Sequence, residues 1–85
     1  MKTVKLAYYN RQDWDQFINL IDDKENMHAK WEEWKQAFKK LKTELVNNGF
    51  EIIEVVIDLE KLSEYCKGNK LKNTGATRSQ FVQQT

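Results

Sequence analysis

Across residues 26–49 the apolar side chains recur as Met27, Trp31, Trp34, Phe38, Leu41 and Leu45. Steps of three and four place all six on one side of an α-helix, and nothing else in the chain is as long or as regular. Two tryptophans and a phenylalanine on one stripe are a large apolar load that has to be covered. A chain of 85 residues removes only roughly 60 to 65% of its unfolded surface from water on folding, so a partner often supplies part of the cover. Two uses of Trp31, Trp34 and Phe38 are therefore open. They are candidate core residues, and they are candidate protein-interface residues, since aromatic anchors dominate interface energetics.

The ends of this helix are written in its polar residues. Asp22 and Glu25 have the spacing of a capping box, which predicts a start between Asp23 and Asn26. Glu32 and Glu33 come early and Lys39, Lys40 and Lys42 late, the order that the helix dipole favours. Asn47-Asn48-Gly49 stops it, with Gly49 as the left-handed cap.

The remaining elements are shorter. Residues 3–9 (TVKLAYY) alternate as a strand with Val4, Leu6 and Tyr8 on its apolar face. Gln12-Asp13 opens a short helix whose inner side is Trp14, Phe17, Ile18 and Ile21. Residues 50–57 (FEIIEVVI) are a second strand, β-branched and free of breakers. Asp58 caps a third helix over 59–67, with Leu59, Leu62, Tyr65 and Cys66 inward and Gly68 at its end. Residues 69–76 form a polar link anchored by Leu71. Thr77 caps a last helix through Gln83, with Phe81 and Val82 inward.

The order is β-α-α-β-α-α, which predicts an α+β fold. Strand, helix pair, strand is a crossover, so the two strands are expected to pair in parallel, with a right-handed connection. No Pro/Gly-rich linker divides the chain, and one domain is expected over 1–85, a body of 1–57 and a tail of 58–85. Two strands make a marginal sheet; a dimer that continues it across a two-fold axis would relieve this, and a homo-oligomer is expected.

Charge separates body from tail. Residues 1–60 carry nine Lys or Arg against twelve Asp or Glu, whereas residues 61–85 carry five against one, within a formal net charge of +1. A uniformly basic coat is thus excluded, but a basic arm is present. The single cysteine, Cys66, allows no disulfide within the chain, which fits a reducing compartment such as the cytoplasm. No signal-like or membrane-length apolar run occurs, so no membrane partner is expected.

Catalytic patterns are missing. His28 is the one histidine and Cys66 the one thiol, and neither has a second ligand at metal spacing. Gly49, Gly68 and Gly75 are isolated rather than gathered in a phosphate loop. The expectation is no enzyme, no metal and no cofactor.

The tail has a pattern of its own. Leu62-Ser63-Glu64-Tyr65-Cys66-Lys67, Asn69-Lys70-Leu71, Thr74-Gly75-Ala76-Thr77-Arg78 and Phe81-Val82 give a helix, an extended link with one leucine, a glycine turn and a second helix with a basic first turn. Over residues 59–84 this resembles the SAP-type helix-extended-helix motif, whose members commonly bind DNA. The resemblance implies that Gly75, Thr77 and Arg78 lie at a phosphate-facing turn, and that Leu62, Leu71, Phe81 and Val82 hold the helices together. Gln83 and Gln84 stand where the family often has basic residues, and Asn69 replaces its usual glycine. Free amides at a helix N-terminus, with Arg78 beside them and Lys67, Lys70 and Lys72 in the link, compose an anion site. The leading expectation is a small cytoplasmic binding module that touches nucleic-acid backbone, DNA among the candidates, without reading bases. The alternative is a protein-interaction or regulatory subunit using the aromatic stripe or a strand edge. An enzyme assembling its site across a dimer ranks third.

Overall fold

The computed structural model describes residues 2–85. Strand β1 (Lys2–Tyr8) and strand β2 (Phe50–Val56) form a two-stranded parallel sheet, in register from Lys2 opposite Phe50 to Tyr8 opposite Val56. A single 3-10 turn, Arg11–Asp13, leads into α1 (Trp14–Leu20). The long helix α2 (Trp31–Asn47) completes the crossover, and α3 (Leu59–Gly68) and α4 (Gly75–Gln83) follow β2. The expected α+β class, the parallel pairing and the element order are all present.

The long helix starts later than its capping pattern predicts. A 3-10 turn occupies Lys24–Asn26, Met27 turns extended, and α2 begins at Trp31 with Lys30 as N-cap. Asp22 and Asp23 do not cap it because their carboxylates are engaged by the Asn73 and Gly75 amides at the start of α4, 51 and 52 residues downstream. Glu33 instead reaches back to accept the Lys30 N–H at 3.3 Å. At the far end Gly49 takes φ +89°, the left-handed turn that a side chain would resist.

Helix α3 begins as expected, Asp58 accepting from the Glu60 and Lys61 amides at 3.0 and 3.2 Å. It ends at Gly68 as expected, but the left-handed turn comes two residues later and not at the glycine. Leu71 N–H reaches the Cys66 carbonyl and Lys70 N–H the Lys67 carbonyl, a Schellman closure with Lys70 in the left-handed position at φ 55° where glycine is usual. This closure turns Leu71 outward, 40% exposed, so the expected apolar anchor of the link is replaced by a polar one, Asn73, buried at 5%. Thr77 likewise is not the cap of α4. Thr74 holds that position and Thr77 is buried one turn in.

The core gathers on the expected inner residues. Phe17, Leu62 and Val82 are fully enclosed, and an aromatic cluster sits at the C-terminal end of β1. Tyr9 stacks on Phe17 at 4.1 Å between ring centroids, and Trp34 meets Tyr8, Tyr9, Trp14 and Phe38 at 5.2 to 5.7 Å. Such pairs add about 0.5 to 1.5 kcal/mol each beyond their buried area. Trp34 and Phe38 are thus buried, and of the aromatic stripe Trp31 alone reaches the surface, half-covered. Leu41 and Val46, further along α2, are exposed.

Candidate interaction surfaces

Two parts of the molecule bear on recognition, the start of α4 and the outer edges of the sheet. At the first, the Arg78 guanidinium donates from Nη1 to Asp23 Oδ1 at 2.9 Å and from Nη2 to Asp23 Oδ2 at 3.1 Å, a two-pronged ion pair. The same Nη1 also donates to the Asn73 carbonyl at 3.0 Å and to Asn73 Oδ1 at 3.2 Å. Its carbon lies 5.4 Å from the centre of the Phe17 ring, close enough for a cation–π contribution. The Gly75 N–H donates to Asp23 Oδ2 at 3.0 Å, and the Asn73 N–H to Asp22 Oδ2 at 2.7 Å.

Gly75, Thr77 and Arg78 are therefore brought together as the anion-site reading expects, but Asp23 already occupies the place of the anion. Arg78 is 6% and Thr77 7% exposed, so both belong to the interior. The physical reason is that a buried guanidinium requires a partner, and the 22–23 loop is folded against the turn to provide one. Lys67, Lys70 and Lys72 remain exposed, and none of them forms an ion pair among the described residues. Asp23 and Asn73 carry the site yet were invisible in the sequence, where no local pattern links Asp23 to a residue 55 positions away.

These contacts set the pH response. Asp23 is held below the ordinary carboxylate range, chiefly by its hydrogen bonds to Arg78 and further by the Gly75 amide, against the opposing effect of burial. A carboxylate depressed in the folded state stabilises the fold above its unfolded pKa, and loses that contribution as pH falls through the folded value. Urea unfolding across a pH series is expected to show stability level toward neutrality and falling once pH drops below about 4, the unfolded range. Asp23→Asn should be less stable at neutral pH and lack that share of the acid decline; an unchanged acid limb would contradict the assignment. Burial also pushes the Tyr9 phenol up to about 12 and raises the Cys66 thiol.

His28 and Cys66 do not share a site. The imidazole lines a groove of 280 Å³ between β1 and α2 with Trp34, Phe38 and Leu41, whereas buried Cys66 borders a different groove with Leu20 and Leu71. Among the described residues no group of three or more His, Cys, Asp or Glu is placed to hold a metal ion. No helix there is long and apolar enough to cross a membrane.

The two sheet edges are unlike each other. Successive residues of a strand aim their N–H and C=O to alternate sides. The Tyr8 carbonyl accepts the Ile57 N–H at 2.9 Å, so Val4, Leu6 and Tyr8 face β2, and Lys5, Ala7 and Tyr9 face outward. Two of those outward carbonyls are taken: Gln83 Nε2 donates to Lys5 at 3.3 Å and Trp31 Nε1 to Tyr9 at 2.8 Å. The Lys5 ammonium also donates to the Thr85 carbonyl, tying β1 to the end of the described chain. Helix α4, packed along β1, and the first residue of α2 thereby obstruct the β1 edge on either side of Ala7.

On β2 the outward residues are Phe50, Ile52, Glu54 and Val56. Among the described residues, no hydrogen bond engages their outward N–H or C=O groups. Ile53 is 44% and Val56 57% exposed, and the strand contains no Lys or Pro, two residues that often blunt an edge, its charges being Glu51 and Glu54. Its one charge contact is exposed, Lys42 to Glu54 at 3.6 Å. The β-branched pattern of residues 50–57 was readable in the sequence; which of the two edges stays open was not.

No known protein family matches the chain, no curated protein matches its sequence, and no solved structure matches its fold.

Proposed function

We propose that this chain is a non-enzymatic protein-interaction module that accepts an extended segment of a partner alongside β2, by strand addition. The observation that supports this reading is the contrast between the edges. Among the described residues no outward backbone group of β2 has a hydrogen-bond partner, whereas on β1 Gln83 and Trp31 take the Lys5 and Tyr9 carbonyls and α4 packs along the strand. Strand addition draws its affinity from main-chain hydrogen bonds and its selectivity from alternate side chains. Here the side chains bordering the docked segment are Ile52, Ile53 and Val56, flanked by Glu51 and Glu54.

The nucleic-acid reading has less support. Its central cation, Arg78, is buried against Asp23, which leaves the exposed Lys67, Lys70 and Lys72 as its cations. A charged run of that kind is most often a solvated face.

Selection of displayed heptapeptides on the immobilised full chain, followed by amide chemical-shift mapping, tests the proposal. Extended apolar peptides should be enriched and should move the Ile52, Glu54 and Val56 amides most. Glu54→Pro deletes one outward donor while keeping the β1 pairing, because proline is tolerated where the N–H faces solvent. It should weaken binding about tenfold, the equivalent of one lost hydrogen bond. Peptides that map to α3 and α4, or DNA that binds at low salt through Lys67, Lys70 and Lys72 while no peptide binds, would overturn the proposal.

A further inference from the structure

We infer that the segment docked on β2 is the β2 strand of a second copy of this chain, paired antiparallel about a two-fold axis at Ile53, which makes one four-stranded sheet. The inference rests on the reading of β2 as a docking edge and names the occupant.

Parity and charge select the register. A two-fold axis pairs residues whose positions add to a constant, and outward residues must meet outward residues, so the axis passes through one residue of β2. An axis at Glu51 or Glu54 would set a glutamate directly against its own copy, which is destabilising. An axis at Ile53 sets Glu51 opposite Val55 and Glu54 opposite Ile52, with no like charges facing one another. It is also the axis that overlaps the whole of Phe50–Val56. Each outward N–H and C=O of Phe50, Ile52, Glu54 and Val56 then meets a backbone partner.

Apolar exposure follows the same symmetry. Ile53, 44% exposed, comes to lie against the partner's Ile53, and Val56, 57% exposed, against the partner's Phe50. The sheet gains the strands that a two-stranded ribbon lacks for independent stability. Assembly also ends there. Each copy contributes one open edge, and the opposite edge is obstructed by α4 and by Trp31 and Gln83 on the Tyr9 and Lys5 carbonyls, so the interface is isologous and self-limiting rather than the start of a fibre.

Ile53 aims its own N–H and C=O toward β1, which makes Ile53 and its copy a non-hydrogen-bonded pair. Their Cα atoms would be about 4.5 Å apart, within the range a disulfide spans. In the full chain under mild oxidant, Ile53→Cys should therefore give a disulfide-linked dimer. Val55→Cys should not, since Val55 and its copy would be separated by about four strand residues, or ~13 Å. The unaltered chain, with Cys66 buried, is the control for adventitious oxidation. By sedimentation equilibrium the unaltered chain should be dimeric, and Ile53→Lys should raise the dimer dissociation constant at least tenfold with an unchanged circular dichroism spectrum.

A chain that stays monomeric at all concentrations and resists cross-linking at 53, yet still binds peptides along β2, overturns the second copy and leaves the docking edge standing. A dimer that cross-links at Val55 but not at Ile53 overturns the register. A monomer that binds no peptide removes both proposals.

Discussion

Arg78→Ala is expected to destabilise the fold by about 3 to 5 kcal/mol, the range for removing one partner of a buried ion pair. The substitution leaves the Asp23 carboxylate, 15% exposed as a side chain, facing a void. It also leaves the Asn73 carbonyl and Oδ1 without their shared donor. For a domain of this size each kcal/mol corresponds to roughly 4 to 8 °C in Tm, so the variant should melt far below the parent or fail to fold. Arg78→Lys should rescue only in part, since an ammonium cannot reproduce the two-pronged geometry. Arg78→Met combined with Asp23→Asn should recover stability relative to Arg78→Met alone, because no unpaired charge is then left in place. Urea unfolding followed by tryptophan fluorescence reads all four variants. A loss below about 1 kcal/mol for Arg78→Ala would place the pair with ordinary surface bridges and undo the account of α4 as a clasped element.

Trp34→Ala should cost about 3 to 5 kcal/mol, the range for truncating a large buried aromatic. The ring has five other aromatic residues around it, Tyr8, Tyr9, Trp14, Trp31 and Phe38, and a cavity in the middle of that cluster has little means of collapsing. Trp31→Ala should cost less, because its ring is only half-covered. Its main loss is the hydrogen bond to the Tyr9 carbonyl, worth about 0.5 to 1.5 kcal/mol net. Thermal melts by circular dichroism distinguish the two. A Trp34→Ala variant as stable as the parent would return the aromatic stripe to the interface reading.

The stripe shows how far a periodic pattern carries. Steps of three and four located α2 and its inner side, because helix geometry fixes which residues share a face whatever lies opposite. They did not locate its first turn. Asp22 and Asp23 satisfy a local capping rule, but in the fold they are acceptors for Asn73, Gly75 and Arg78. A distant buried guanidinium outcompetes a local cap of about 1 kcal/mol.

The C-terminal segment shows the opposite limit. Its helix-link-helix order was legible, and so was the gathering of Gly75, Thr77 and Arg78 at one turn. Whether that turn faces water or Asp23 depends on a contact across 55 residues, and local spacing carries no information about such a contact. Leu71 failed as an anchor for a related reason. The left-handed Lys70 rotates the chain after α3, and neither hydropathy nor residue type announces a lysine in that conformation.

What the sequence determined by itself is the set of elements, their order, the parallel crossover and the apolar faces, since these follow from periodicity, breakers and charge order within a few residues of one another. Tertiary structure alone decided which cation is buried, which carboxylates are consumed and which strand edge is left open. Each of those depends on groups that only meet once the chain has closed on itself, Asp23 with Arg78 and Trp31 with the Tyr9 carbonyl. Desolvation then makes the pairing of such groups worth several times more than a preference acting along the chain.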